Sequence, residues 1–141
     1  MIVKQMSVFV ENTTGRLSEL TEVLAKYEID IKAMCIADTV DFGILRCIVS
    51  DADEATRELK KNGFTASITE VIAVELNDHP GGLDAVLKVL CKEDIAVDYI
   101  YSTIRSSKGK ALIIIKVADP RRAIEVLTKA GVVLHCIDDL M

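Results

Sequence analysis

Hydrophobic and polar residues follow two periods along the chain, one typical of strands and one typical of helices. Met6, Val8 and Val10 recur at every second position, which predicts a first strand with one apolar face. Leucines then recur at intervals of three and four from Leu17 to Leu24. That spacing predicts an amphipathic helix whose apolar stripe packs on a sheet.

Further strands and a second helix are predicted up to the middle of the chain. Residues 29–37 and 43–50 are rich in branched apolar residues and predict a pair of strands. Asp51 is a good N-cap for a second helix, and Gly63 is suited to the left-handed position that follows a helix. Residues 64–69 then predict a closing strand, so the first half reads strand, helix, strand, strand, helix, strand.

The chain contains this pattern twice. Asn12-Thr13-Thr14-Gly15-Arg16-Leu17 matches Asp78-His79-Pro80-Gly81-Gly82-Leu83, with Gly15 and Gly81 66 residues apart. Further matches keep that register, and after a two-residue insertion they continue from Val49-Ser50-Asp51 to Val117-Ala118-Asp119. A repeat of this length is one supersecondary unit used twice.

The second half therefore has the same predicted elements, with strands at 71–76, 95–104, 110–117 and 132–137. Its second helix begins at Asp119-Pro120, with proline at the first helical position, and stops at Gly131. This order predicts an α+β chain of two tandem ferredoxin-like βαββαβ modules, residues 1–70 and 71–141, each with an antiparallel sheet and helices on one face. The hairpins fall at 38–42 and 105–109.

Composition narrows the classes of function. The 22 acidic and 17 basic side chains give a formal charge of −5, which disfavours a nucleic-acid partner. No apolar stretch approaches the roughly 18 residues that a membrane span needs. The first residues lack the features of a signal peptide, so we expect a cytoplasmic protein with no membrane partner.

The 4 cysteines never fall at C-x-x-C spacing, so we expect reduced thiols in apolar surroundings rather than a metal site. No nucleophile–base set, P-loop or dinucleotide fingerprint can be assembled from the chain. The sequence therefore predicts no cofactor, no metal and no enzymatic activity.

The turn between the first strand and the first helix is the candidate binding element in each half. A glycine lets the backbone approach a ligand closely, and the free N–H groups of a helix start suit a carboxylate. Asn12, Thr13, Thr14 and Asp78 offer acceptors for an ammonium group. Equally, the glycines can serve only a tight turn, and Asn12 or Asp78 can serve only as a helix cap.

At this turn the sequence resembles the ACT domain family, whose modules have the βαββαβ order and a turn close to Asn/Asp-x-Pro-Gly-x-Leu. Residues 78–83 fit that pattern fully, and residues 12–17 depart from it by Thr14 in place of proline. The resemblance covers essentially all 141 residues. It implies a regulatory protein that binds a free amino acid at module interfaces, using in the two halves Asn12, Thr13, Thr14, Gly15, Arg16 and Leu17, and Asp78, His79, Pro80, Gly81, Gly82 and Leu83.

The two turns are not chemically equivalent. Arg16 can pair a ligand carboxylate through two parallel hydrogen bonds, whereas Gly82 cannot. His79 is either a ligand contact or a solvated loop residue. After the second strand, Asp38 and Asp41 form a compact acidic loop that can hold an ammonium group, act as an acid–base pair or simply be solvated.

Three functions remain open. The first is a sensor of a free amino acid, which acts on an enzyme of amino-acid metabolism by allosteric regulation. The second is an obligate regulatory or assembly subunit, similar to the small subunit of acetolactate synthase. The third is a small-molecule enzyme that uses Asp38 and Asp41. We also expect a homodimer, because a module of about 70 residues buries little surface and leaves strand edges open.

Overall fold

The structure is a computed structural model that describes residues 1–38, 41–103 and 109–140. The chain divides into two compact units, which are Lys4–Thr69 and Glu70–Met141 together with Met1–Val3. The predicted hairpins at 38–42 and 105–109 lie partly outside the described residues, as does Ile104 at the end of one predicted strand.

The first unit has the predicted order of elements. They are β1 (Ile2–Glu11), α1 (Arg16–Lys26), β2 (Ile31–Asp38), β3 (Phe42–Val49), α2 (Ala52–Lys61) and the beginning of β4 (Thr65–Asn77). Strand order is β2-β3-β1-β4, and β1 and β2 both pair antiparallel with β3. Ser7 Oγ on β1 lies 3.2 Å from Thr69 Oγ1 on β4.

The second unit repeats the arrangement. Its elements are the rest of β4, α3 (Gly82–Lys92), β5 (Val97–Ser102), β6 (Lys110–Val117), α4 (Pro120–Lys129) and β7 (Val133–His135). Strands β6 and β7 both pair antiparallel with residues 73–75 of β4, one on each side, so the order is β7-β4-β6-β5. The predicted α+β class is confirmed.

The hydrophobic pattern placed the cores correctly. Alternate residues of β1, including Met6 and Val8, pack with Leu20 and Leu24 of α1 in the first unit. In the second unit Ile72 and Val74 of β4 pack with Val86 and Leu90 of α3. The apolar stripes of both helices therefore face their own sheets, as the periodicity predicts.

The capping signals were also read correctly. The Asp51 carboxylate accepts a hydrogen bond from the Glu54 N–H at 2.8 Å, and Asp119 accepts one from Arg122 N–H at 3.0 Å. Gly63 and Gly131 have φ of +83° and +78°, the left-handed conformation that terminates a helix without Cβ strain.

Two predicted boundaries were wrong. The strands expected at 64–69 and 71–76 form one continuous strand, β4, because residues 69–71 contain no glycine or proline to interrupt it. The last strand was expected at 132–137 but ends at His135, and a short 3-10 helix follows at Ile137–Leu140. Cys136 N–H donates to Asp139 Oδ2 at 2.8 Å, which satisfies that donor without a neighbouring strand.

Candidate functional site

The two strand-to-helix turns have the same backbone hydrogen bonds. In turn 1 (residues 11–16), Thr13 N–H donates to the Glu11 carbonyl and Arg16 N–H to the Thr13 carbonyl. In turn 2 (residues 77–82), His79 N–H donates to the Asn77 carbonyl and Gly82 N–H to the His79 carbonyl. The internal repeat therefore extends from residue identity to the path of the backbone.

Each turn is also fastened to the hairpin of its own module. Asn12 N–H donates to the Asp41 carbonyl at 3.1 Å, and Asp78 N–H donates to the Gly109 carbonyl at 3.1 Å. Asp38 lies at the end of β2, opposite Gly43 of β3, and is exposed. The structure thus brings the backbone of Asp41 to turn 1, while Asp38 lies one strand further out.

A left-handed glycine precedes each helix. Gly15 has φ of +87° and Gly81 has φ of +92°, and neither helix has a side-chain cap at this position. The N–H groups of the first helical turn have no partner within a helix, and they carry the positive end of the helix dipole. Both turns therefore place a left-handed glycine directly before a helix N-terminus, and anion binding there stays a prediction.

In turn 1 the Arg16 side chain is already paired within the module. Its Nε donates to Glu11 Oε2 at 2.7 Å and its Nη1 to Glu19 Oε2 at 2.8 Å. Nη2 reaches the Gly63 carbonyl at 3.3 Å, and the guanidinium carbon lies 3.7 Å from the centre of the Phe64 ring. A ligand carboxylate would have to compete with these groups for Arg16, whose side chain is only 20% exposed.

These contacts also affect protonation. The hydrogen bonds to Glu19 and Glu11 raise the pKa of Arg16 above its ordinary value. The hydrogen bond from Arg16 lowers the pKa of Glu11. The Arg16 guanidinium and the Glu11 carboxylate therefore stay charged throughout the neutral range.

Turn 2 lies beside an open cavity of about 240 Å³ that lies wholly within the second unit. Its lining includes the polar residues Glu75, Asn77 and Lys110 and the apolar residues Ala85, Val86 and Val132. Lys110 Nζ lies 3.3 Å from Glu75 Oε1 and donates to Asn77 Oδ1 at 2.9 Å. The cavity is thus bordered by one carboxylate and one ammonium group.

A histidine contacts the Glu75 carboxylate. His135 Nε2 donates to Glu75 Oε2 at 3.0 Å. This hydrogen bond, with a further contribution from Lys110, lowers the pKa of Glu75. Glu75 is therefore held ionised by His135 on one side and by Lys110 on the other. His135 Nδ1 also lies 3.6 Å from Asp139 Oδ2.

The remaining predicted site residues lie at the surface. Asn12, Thr13, Thr14, Asp78, His79 and Pro80 are all exposed. His79 Nδ1 donates to the Pro80 carbonyl at 2.9 Å, so its ring is held against the turn, and His79 also borders the cavity. Gly82, in contrast, is buried.

Leu17 and Leu83 were expected within the apolar stripes, but both are 37% exposed. They occupy equivalent positions in the first turns of α1 and α3. The buried residues Leu20 and Val86 lie three positions further along these helices. The expectation that all cysteines are in apolar surroundings was wrong for Cys91, which is exposed. All four cysteines lie in the described ranges and are free thiols.

Sequence reasoning did not identify Glu75, Lys110 or Ala85 as site residues. The signal was present in the alignment of the halves, because these residues replace Phe9, Phe42 and Glu19 of the first module. Phe9 and Phe42 stack with ring centres 4.3 Å apart. Exchange of a stacked aromatic pair for an ion pair at the same two positions indicates that the two sites differ in chemistry.

Within the described ranges, no cluster of three or more histidine, cysteine or acidic side chains could hold a metal ion. No helix in the same ranges is long and apolar enough to span a membrane.

Comparison with known proteins gives matches along the whole chain. The sequence profile of the ACT domain pair matches residues 1–140. The crystal structure of protein BT0572 from Bacteroides thetaiotaomicron is 44% identical, with a TM-score of 0.93, and the match covers 99% of this chain and 96% of that one. No match is found among curated proteins.

More distant structures share the fold. The regulatory subunit of aspartate kinase from Thermus thermophilus, in its ligand-free form, is 14% identical with a TM-score of 0.67, over 90% of this chain and 91% of that one. The corresponding subunit from Thermus flavus is 14% identical with a TM-score of 0.62, over 91% and 92%.

Proposed function

The chain belongs to the ACT domain pair family, a family of small-molecule regulatory modules, and we propose that it is a sensor of a free amino acid with no catalytic activity of its own. The observation that carries the proposal is the cavity beside turn 2 with its fixed carboxylate and ammonium groups. A free amino acid has a carboxylate and an ammonium group that complement such a pair. The helix start at Gly81 supplies further donors for the carboxylate.

The size of the cavity is consistent with this class of ligand. Pockets that hold drug-sized molecules have volumes of about 300–1,000 Å³. The 240 Å³ cavity is smaller, so it suits a metabolite of amino-acid size better than a nucleotide or a large cofactor.

A thermal screen against the twenty amino acids tests the proposal. A ligand that binds only the folded state stabilises it by about 2.7 kcal/mol at roughly 100 times Kd. For a protein of this size we expect a rise in melting temperature of roughly 5–10 °C with one amino acid, or a few related ones, and none with the others. An unchanged melting temperature with all twenty at millimolar concentration, for a folded protein, would reject the sensor function.

The alternative is an obligate regulatory or assembly subunit of an amino-acid biosynthetic enzyme, such as acetolactate synthase. The stacked pair Phe9 and Phe42 favours it, because Phe9 is 44% exposed on the first unit and exposed aromatic surface is typical of protein interfaces. In that case affinity purification from the native cell would recover a stoichiometric catalytic chain, and the amino-acid screen would show no response.

We also propose that the protein is a homodimer. Among the residues that the structure describes, the edge strands β2 and β5 each pair with one strand only, and strand edges favour pairing between copies. Sedimentation at micromolar concentration should give a species of twice the 15.5 kDa chain mass. A species of chain mass alone would contradict the dimer without affecting the ligand proposal.

A further inference from the structure

The helices of the second module border a second open cavity, away from turn 2. Its volume is about 480 Å³, and its lining comes from α3, α4 and the residue that follows each helix. The apolar part of the lining is Val89, Val126 and Ala130, and the other lining residues are charged. We call this surface the α3/α4 groove.

The first module has a buried carboxylate at the equivalent position. The repeat aligns Glu58 with Val126, 68 residues apart, and Glu58 is only 4% exposed. Its carboxylate accepts hydrogen bonds from Lys61 at 2.8 Å and from Arg57 at 3.2 Å. The hydroxyl of Tyr27, at the end of α1, also donates to it. Side chains of the first module thus supply and satisfy this carboxylate.

The open volume differs between the modules at this position. The first module has a cavity of about 360 Å³ beside α1, but neither Tyr27 nor Glu58 lines it. Their equivalents in the second module, Glu93 and Val126, both line the α3/α4 groove. The groove therefore extends to the position at which the first module has a carboxylate of its own.

The lysine that binds this carboxylate is present in both modules. Lys129 is equivalent to Lys61, but α4 has Val126 in place of the carboxylate. Lys129 instead lies 2.8 Å from Glu125, and the two side chains are 75% and 65% exposed. An ion pair between such exposed side chains contributes little to stability, so a ligand carboxylate can replace Glu125 as the partner of Lys129.

The charges of the groove restrict its ligand. They are three cations and two carboxylates, namely Lys92, Arg122, Lys129, Glu93 and Glu125. One positive charge is therefore in excess, which a monocarboxylate balances and a zwitterion does not. The apolar residues of the groove suit an uncharged apolar body on the ligand.

From these observations we propose that the α3/α4 groove binds an organic monocarboxylate with an apolar body and no ammonium group, and that Lys129 holds its carboxylate as Lys61 holds that of Glu58. Arg122 borders the same groove and uses one guanidinium nitrogen to donate to the Glu93 carbonyl at 2.7 Å. The site is separate from turn 2 and does not depend on the sensor function.

A backbone amide NMR titration of the full chain with isovalerate as the probe tests the site. We expect saturable chemical-shift changes at Lys92, Val126 and Lys129, with a dissociation constant in the millimolar range because the ligand is small and the groove is open. Valine adds an ammonium group to the same carbon skeleton, and isoamyl alcohol replaces the carboxylate by a hydroxyl group. Neither should give saturable changes at these three amides.

Val126→Glu introduces into α4 the carboxylate that Glu58 supplies in the first module. This variant should bind isovalerate at least about tenfold more weakly than the wild type, because its own carboxylate competes for Lys129. Thr128→Glu is the matched control, since it adds the same charge to α4 at an exposed position that does not line the groove. It should retain most of the wild-type affinity.

A second pair of variants covers the case in which Val126→Glu does not fold. Lys129→Met removes the proposed partner of the ligand and should also weaken binding at least about tenfold. Lys88→Met removes a cation that pairs with Asp84 on α3 and does not line the groove, and it should bind as the wild type does.

Several results would overturn the inference. Unchanged amides across the millimolar range, or wild-type affinity in Lys129→Met, would show that the groove is not the site. Equal binding of valine would contradict the charge argument, and equal binding of inorganic phosphate would show that the groove only attracts anions. None of these results bears on the sensor function, which the thermal screen against amino acids tests separately.

Discussion

Replacement of Gly82 by alanine should be far more damaging than replacement of its neighbour Gly81. A Cβ on Gly82 would overlap the carbonyl oxygen of Asn77, and it would also lie 3.2 Å from the carbonyl carbon of Asn77 and 3.4 Å from Leu76 Cδ1. Backbone cannot move aside as a flexible side chain can, so the turn must open. A Cβ on Gly81 meets no described atom within 4 Å, and its cost comes only from φ of +92°.

The two costs can be estimated separately. A left-handed conformation costs a non-glycine residue about 1–2 kcal/mol, which is the expected loss for Gly81→Ala. Over-packing against fixed atoms costs about 1–3 kcal/mol and occasionally more, and a direct overlap with backbone belongs at the upper end, at about 3 kcal/mol. For a chain of this length the melting temperature should fall by about 5 °C for Gly81→Ala and about 10 °C for Gly82→Ala.

Differential scanning calorimetry of the two variants, with Gly15→Ala as the equivalent of Gly81→Ala in the first module, measures the difference. Gly15 has φ of +87° and similar open space, so its variant should match Gly81→Ala. If Gly82→Ala melts as high as Gly81→Ala, the close approach of Asn77 to Gly82 does not determine the shape of the turn.

Two further predictions concern the first unit and the thiols. Hydrogen bonds from Lys61, Tyr27 and Arg57 lower the pKa of Glu58 from 4.5 to about 2, so its contribution to stability is complete above pH 4.5 and is lost as the pH falls towards 2. The melting temperature should therefore fall more steeply between pH 7 and about pH 2 for the wild type than for Glu58→Gln. An equal fall in both proteins would show that Glu58 does not cause the loss of stability in acid. Burial raises the pKa of the Cys47 thiol to about 12, so a maleimide at neutral pH should label exposed Cys91 readily and Cys47 only on unfolding; labelling of Cys47 in the folded protein would contradict its burial.

The fold could be predicted from the sequence because local signals agree with tertiary packing. Alternation along β1, leucine spacing along α1 and the aspartate caps of α2 and α4 all indicate the elements that the structure contains. The end of β7 was missed because the apolar pattern of residues 132–137 continues past His135, where Cys136 N–H donates to the Asp139 side chain instead of to a strand. The single strand β4 was missed because a repeat suggests a boundary even where the backbone has no reason to break.

The candidate site was predicted only in part. Motif reading finds residues that are close in sequence, so it identified the turns at Gly15 and Gly81 but not Glu75 and Lys110, which strand pairing brings to turn 2. It also assigned Arg16 to a ligand, because the sequence does not show that Glu11, Glu19 and the Gly63 carbonyl already surround the guanidinium. Pairing across a long sequence separation decided the first case, and for Arg16 it contributes only the contact with Gly63.

The most direct measurement is a backbone amide NMR titration of the isotopically labelled protein with the amino acid that gives the largest thermal shift. We predict saturable chemical-shift changes at Gly81 and Lys110, with the amide of Gly15 unaffected. Changes confined to turn 1, or a bound amino acid that leaves both turns unaffected, would contradict binding at turn 2.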